Sequence, residues 1–466
     1  MVFADNPLVS LIDYQFSNAE SHLDTWLSAW ADPNCDHLGQ LMQRAVKSGA
    51  PAPAVRAKSR EMVLAEHSWK AVAARSVQAV SELRTASKTP PPRIGWVGTY
   101  NTRCGIATYS DHLIRNLPDE VQIFATKGRA PVAPDDGRVT RCWVEGPHDD
   151  LHTLGWNILD SGVDLVVIQF NYGFFNIARF AALVERLKEA GKTVVIELHS
   201  TDDAPLPQGR KLANIRDVLA RCDRLLVHGI HDMNRLKNLG LVENMVLFPH
   251  GLPKAEGVTE RPAIADRVVT LGTYGFFLPQ KGLSTLVEAL SLLRQKGHDV
   301  ALNMVNAAYP VPESDAYIAQ VQGQIDRLGL RDHVMLCTDF LSDNDSFTRL
   351  AASDLLVFAY GPTSESASGA ARQALAVGRP VAVTPLPIFD DIAGLVHRLP
   401  GYAASDLAAG LADMVMALRE GDPKGRFAQT QARADAWRAT HGYDVLGDRL
   451  WHILNGAHRD NPLSQS

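Results

Sequence analysis

Thr363–Thr384 reads TSESASGAARQALAVGRPVAVT. The stretch opens polar and acidic, continues as a helix and ends in a buried strand. Ser366 or Ser368 caps the helix start by accepting from its first amides. Gly369, Ala370 and Ala371 follow, small enough for a ligand to approach the backbone closely. Gly378 stands where a helix C-terminus favours glycine, and Pro380 stops the helix before Val381–Val383. A helix start carries unpaired N–H groups and a partial positive charge, which suits a phosphate. Glu365 lies just outside that start, where a carboxylate can hold sugar hydroxyls. A phosphate seat beside a hydroxyl acceptor is what a nucleotide sugar requires.

Outward from this segment, short apolar runs alternate with amphipathic helical stretches. One block holds Ile94–Val97, Val121–Phe124, Leu165–Gln169, Val194–Leu198, Leu225–Val227 and Val246–Phe248. A second holds Val268–Thr273, Val300–Val305, Val334–Cys337, Leu355–Phe358 and Val381–Val383. Near-continuous apolar strands separated by helices imply parallel sheets covered on both faces. The expected fold class is therefore α/β: two Rossmann-like domains facing a cleft, with ligands beyond the carboxyl ends of the strands.

The expected divisions are a helical extension over 1–88, a first Rossmann-like domain over 89–255, a second over 256–435 and a helical tail over 436–466. Residues 1–88 show helical spacing, as in EMVLAEHSWKAVAARSVQAVSELR, and no convincing strand. Lys88–Pro92 reads as a stiff linker, and Pro253–Asp266 as a second one. His67-Ser68-Trp69 with Arg75 repeats the spacing of His441-Gly442-Tyr443 with Arg449 in the tail.

The chain has 466 residues and a formal net charge of -6, which gives no whole-protein electrostatic case for nucleic acid. Five scattered cysteines without a CxxC pair argue against disulfides and cysteine metal sites and fit a reducing cytoplasm. The first residues lack a basic segment followed by a long apolar run, so no signal peptide is expected. No run approaches the roughly 18–20 apolar residues of a membrane span. A soluble, cytoplasmic chain is expected, with room for peripheral contact at the inner face of a membrane.

Several strand ends carry unusual loops. TYNTRCGIATYSDHL (Thr99–Leu113) has Gly105 in a tight turn before a helix whose first amides face the cleft. This loop is not a GxGxxG fingerprint, so no NAD is expected. DLVVIQFNYGFF ends at Phe175, ELHS at Ser200, LFPHGL at Leu252, and LGTYGFFLPQKG at Gly282. A lysine at a helix start is unfavourable unless an anion is present, which favours a phosphate contact for Lys281 over a solvated helix-start lysine. Asp202 and Asp203 are adjacent and make a poor ligand set.

Taken in order, the first loop, strand-end histidine, PHG hinge, KG loop and E-x7-E region resemble retaining glycosyltransferases of family 4. These are the group 1 glycosyltransferases of bacterial glycan synthesis, with the GT-B fold. The resemblance runs from Arg93 to the C-terminal helices and implies a retaining hexosyltransferase. Such an enzyme uses a nucleoside-diphosphate sugar (GDP-mannose or a UDP-sugar) and a glycan or lipid-linked acceptor. It implies no cofactor beyond that co-substrate, and no metal, since no DxD motif stands at a strand end.

By the same resemblance, Glu365 contacts the transferred sugar, His199 orients it, and Lys281 with Gly282 grips the diphosphate. Gly105, Ser368, Gly369 and Asn306 join the donor site, with Tyr309 near the base. Arg103, Tyr109, Gln169 and Tyr172 line the acceptor side. His228 matches a VHS-type turn and His250 the hinge. Two positions depart from the pattern. Phe276 stands where the family has an arginine, and Gln373 where it has the second glutamate. Arg372 is a candidate substitute for the missing cation. These departures keep open a catalytically silent binding or scaffold subunit. A GT-B epimerase or phosphorylase is a further alternative.

Overall fold

The computed structural model describes residues 6, 8–19, 28–86, 90–118, 120–203, 207–255, 268–363 and 365–461. Most of the linker expected over 253–266 lies outside the described residues. The chain divides into two compact units, one ending at Pro92 and one beginning at Arg93.

The first unit holds β1 (Tyr14–Asn18) and β2 (Ala29–Pro33), paired antiparallel, and helices Cys35–Ser48, Pro53–His67 and Trp69–Ala86. The strand pair corrects the expectation of none before residue 88. Its apolar signal is one short face, Tyr14 and Phe16, whose rings meet edge-on at 5.2 Å, and an apolar pattern that short is weak in sequence. The repeated spacing has a structural counterpart. A helix ending at His67 breaks at Ser68 (φ -66°, ψ 151°) and restarts at Trp69, while a helix ending at His441 breaks at Gly442 (φ -58°, ψ 145°) and restarts at Tyr443.

The second unit contains both large sheets. The first lobe has β3 (Ile94–Gly98), β4 (Val121–Thr126), β5 (Val139–Trp143), β6 (Leu165–Phe170), β7 (Thr193–Leu198), β8 (Arg224–Val227) and β9 (Met245–Leu247). They pair in parallel in the order β5-β4-β3-β6-β7-β8-β9. The second lobe has β10 (Val269–Phe276), β11 (Val300–Ala307), β12 (Val334–Cys337), β13 (Leu355–Phe358), β14 (Val381–Val383) and β15 (His397–Arg398). Their order is β12-β11-β10-β13-β14-β15, again parallel. β5 and β15 are the strands that periodicity did not flag. Both are edge strands, and VTRCW and HR carry too little apolar surface to announce themselves.

β-branched runs such as LVVIQF and TVVIEL are buried on both faces because helices cover both sides. In β11, Val300, Leu302 and Met304 pack into one layer with the helix Leu283–Gln295, while Val305 faces the other. The chain then crosses between lobes. The helix Arg426–His441 buries Ala434 and Trp437 in the second lobe, and the helix Tyr443–Asp460 buries Leu446, Leu450 and Leu454 in the first. Leu252, on the outward crossing, pairs with Gly442 on the return. A Cβ on Gly251 would meet the Tyr443 ring at 2.6 Å, so only glycine allows this double crossing to close up. Among the described residues, no helix is long and apolar enough to cross a membrane.

Candidate active site

Both sheets reverse strand order beside their first strand, at β3/β6 and β10/β13, and the strand ends there face a cleft of about 890 Å³. The first lobe supplies the loop and helix from Tyr100 to His112, with His199 and His250. The second supplies Tyr274–Phe276, Lys281, Tyr309, Phe340, Tyr360, Glu365, Gly369 and Gln373. Volume and mixed lining suit a ligand of nucleotide-sugar size.

The cation of the second lobe is held by three features. The short turn Pro279–Lys281 ends at Gly282, whose φ of 67° starts the helix Leu283–Gln295. Lys281, with a side chain 10 % exposed, sends Nζ to both oxygens of Glu365 at 2.9 and 3.1 Å. The same ammonium lies 4.2 Å from the centre of the Tyr360 ring. Burial works against its charge, but Glu365 and Tyr360 outweigh that, and its pKa stands above the ordinary lysine value. Ser368 caps the neighbouring helix Gly369–Ala376 by accepting from the Ala371 amide, and its hydroxyl meets the Tyr360 hydroxyl. That leaves the first amides of the helix, at Gly369 and Ala370, without an intrahelical acceptor at the cleft wall. Ser366 donates to Asp232 of the first lobe at 2.8 Å, which ties the Glu365 loop across the cleft. Arg129 bridges on the other side. It forks onto Glu145 and reaches the Tyr309 hydroxyl at 2.7 Å.

Beneath the cleft lies a buried polar chain. Tyr109 donates to Glu197, and Gln169 Nε2 donates to the other Glu197 oxygen at 2.8 Å. Gln169 Oε1 faces His199 Nε2 at 2.6 Å, His199 Nδ1 faces His228 Nε2 at 3.2 Å, and His228 Nδ1 faces the Phe248 carbonyl at 3.0 Å. The His250 ring lies 4.1 Å from the His228 ring, and Tyr109 meets all three imidazoles edge-on. Burial raises Glu197 to about 7. Burial also lowers His228, His397 and His441 to about 4, and holds His199 and His250 well below their usual value.

These shifts contribute to the acid stability. Each of these histidines binds its proton less readily when folded than when unfolded, so folding is favoured above the unfolded value of about 6.5 and loses ground as pH falls toward about 4. Glu197 acts in the opposite direction, its contribution fading as pH rises toward 7. Five groups outweigh one, so the urea midpoint is expected to drop steeply between about pH 6.5 and 4. A flat urea midpoint across that window would contradict neutral burial of these rings.

The cleft gathers Lys281, Glu365, His199, Gly105, Tyr109, Phe276, Ser368, Gly369 and Gln373. Phe276 packs in an aromatic wall with Tyr309 and Phe340, at 4.9 and 6.0 Å between ring centres. Other expected contacts are corrected. Arg372 is wholly buried and is tied to the Ser368 carbonyl and to Asp391, so its guanidinium is not part of the cleft lining. Asn306 is also wholly buried and sits outside the lining, with both amide atoms unpaired. Gly282 serves the backbone turn and not the ligand surface. Gln169 is sealed between Glu197 and His199, and Tyr172 turns its hydroxyl to Asp203. Arg103 lines a separate hollow with Arg129 and Glu145. His199 reaches the cleft, but both of its ring nitrogens face protein partners. Glu197 and Tyr360 were not singled out from sequence, since each gains its meaning only from strands brought together by the sheets.

Residues 265–420 match the family model described as glycosyl transferases group 1. The second lobe is a group 1 glycosyltransferase domain. The match covers about a third of the chain, and no curated protein matches the sequence. Solved structures extend the likeness to both lobes. Anabaena HepE, in complex with UDP, is 15 % identical with a TM-score of 0.61, covering 78 % of this chain and 100 % of that one. Sucrose-phosphate synthase from Thermosynechococcus elongatus is 14 % identical, TM-score 0.59, covering 78 % and 98 %. The α,α-trehalose 6-phosphate synthase from Burkholderia multivorans is 12 % identical, TM-score 0.58, covering 81 % and 99 %. At such identities the likeness speaks for the fold, which is GT-B.

Proposed function

We propose that this glycosyltransferase is a retaining hexosyltransferase. It moves a hexose from a nucleoside-diphosphate sugar, GDP-mannose or a UDP-sugar, to a hydroxyl of a glycan or lipid-linked acceptor. The observation that carries the reading is the buried Lys281 ammonium, held at 2.9 Å from Glu365 beside the helix start at Gly369. A lysine this buried needs an anion, and the carboxylate supplies one in the absence of substrate. When a diphosphate enters, Lys281 and the Gly369 and Ala370 amides take its charge. Glu365 is then released toward the hydroxyls of the hexose. Stabilising the departing diphosphate is the main catalytic contribution, and closing the lobes aligns the acceptor. Attack on the same face, with the leaving phosphate accepting the acceptor proton, preserves the anomeric configuration without a protein nucleophile. Phe276, Tyr309 and Phe340 offer ring faces to the nucleotide base, and Gln373 offers its amide to the ribose. HepE, whose solved complexes contain UDP-glucose and UDP with glucose, lends the UDP-sugar choice support.

The experiment is a panel of UDP- and GDP-sugars with a mixture of hydroxyl acceptors, read by NMR of the product. One donor is expected to give transfer with its anomeric configuration kept. Donor binding without turnover across the acceptors would make the chain a scaffold. Free or isomerised sugar formed without an acceptor would make it a phosphorylase or an epimerase.

A further inference from the structure

The three buried histidines under the cleft contain a chemical conflict. A backbone carbonyl only accepts, so His228 Nδ1 carries the proton it gives to Phe248, and its Nε2 is bare. Gln169 spends its Nε2 on Glu197 and turns Oε1 to His199, so His199 Nε2 carries a proton and its Nδ1 is bare. Two bare imidazole nitrogens therefore point at each other across 3.2 Å. Lone pair against lone pair repels, and this pair lies where water cannot intervene, with His199 8 % and His228 1 % exposed. A cation between the rings removes the conflict. A proton is a poor one here, because burial disfavours an imidazolium.

We propose that His199 Nδ1, His228 Nε2 and a ring nitrogen of His250 bind a divalent transition-metal ion of the zinc type. The ligand atoms of the three residues all lie within 4.8 Å of one another. A tetrahedral site with metal–nitrogen bonds of about 2.0–2.1 Å places neighbouring nitrogens about 3.4 Å apart, close to the separation of the first pair. Neutral imidazoles suit zinc among divalent ions, and no carboxylate joins the set to favour magnesium or calcium. The outer contacts have the form seen around metal-bound histidines. One ring donates to a backbone carbonyl, and another to an amide oriented by a buried carboxylate. This gives the otherwise unexplained Tyr109–Glu197–Gln169 chain a purpose: it fixes the tautomer of His199. His199 and His250 line the cleft, so the site lies against its floor. No metal was expected from sequence because no DxD motif stands at a strand end; the three histidines are dispersed instead, following β7, β8 and β9.

The test uses the full chain, stripped with a chelator and dialysed against Co²⁺ and, separately, Zn²⁺. Folded wild-type protein is expected to bind about one equivalent, with the strong visible bands of four-coordinate cobalt, and Zn²⁺ should raise its melting temperature. His250→Gln is expected to lose affinity at least about 100-fold, and Gln169→Leu about 10–100-fold. His441→Gln, a buried histidine outside the cluster, should bind like wild type. Circular dichroism confirms that each variant is folded. Folded wild-type protein that binds no metal at micromolar concentration overturns the proposal. So does a His250→Gln protein that binds as tightly as wild type, or a nitrogen NMR spectrum of stripped protein showing His199 Nδ1–H donating to His228. Neither the stoichiometry nor the melting shift depends on sugar transfer, so this test stands apart from the glycosyltransferase assay.

Discussion

Lys281→Ala is expected to lower kcat for sugar transfer by about 10²–10³-fold, the cost of removing one preorganised group that meets developing charge. The ammonium is held by Glu365, by the Tyr360 ring and by the turn that ends at Gly282. It is therefore already aimed when the diphosphate arrives. Affinity for a nucleoside diphosphate should fall with kcat. Folding should not suffer greatly, because Glu365, with its side chain 41 % exposed, can turn to water once its partner is gone. Urea unfolding and steady-state kinetics on the same preparation separate these effects. An unchanged kcat in a folded Lys281→Ala protein would remove the lysine from the reaction.

Gly282→Ala is expected to be the most damaging single methyl group in the second lobe. Gly282 sits at φ 67°, and an added Cβ would stand 1.8 Å from the Ala359 carbonyl oxygen. A rigid backbone atom cannot move aside as a flexible side chain would. Left-handed backbone costs a non-glycine residue about 1–2 kcal/mol before any clash is counted. With the overlap added, a loss of about 4 kcal/mol or more is expected, in the range reserved for named structural lesions. The readout is the urea midpoint with an unchanged slope. Because the same turn sets Lys281, any protein that still folds should also bind donor poorly. A Gly282→Ala protein as stable as wild type would show that the turn does not require glycine.

The sequence was most legible where one segment contains its own explanation. β13 and β14 begin and end where their apolar runs do, because buried parallel strands must be apolar throughout. Ser368 caps its own helix because a helix start needs an acceptor close by in the chain, and the segment displays one. Where partners come from afar, sequence reading failed. Arg372 looked like a donor cation, but Asp391 in the later 3-10 helix Pro387–Leu395 claims its guanidinium. Gln169 looked like an acceptor contact, but Glu197 on the next strand and His199 just beyond it enclose it. The histidine cluster needs the β7-β8-β9 neighbourhood to exist at all, and no spacing along the chain announces it.

The central claim is that the diphosphate of a nucleotide sugar rests on the second lobe, against Lys281 and the helix start at Gly369. A crystal structure with the donor that supports turnover tests it most directly. The predicted result is a phosphate oxygen about 2.8 Å from Lys281 Nζ, another at the Gly369 amide, and the Glu365 carboxylate turned to the hexose. A diphosphate lodged elsewhere, with the Lys281–Glu365 pair intact, would contradict it.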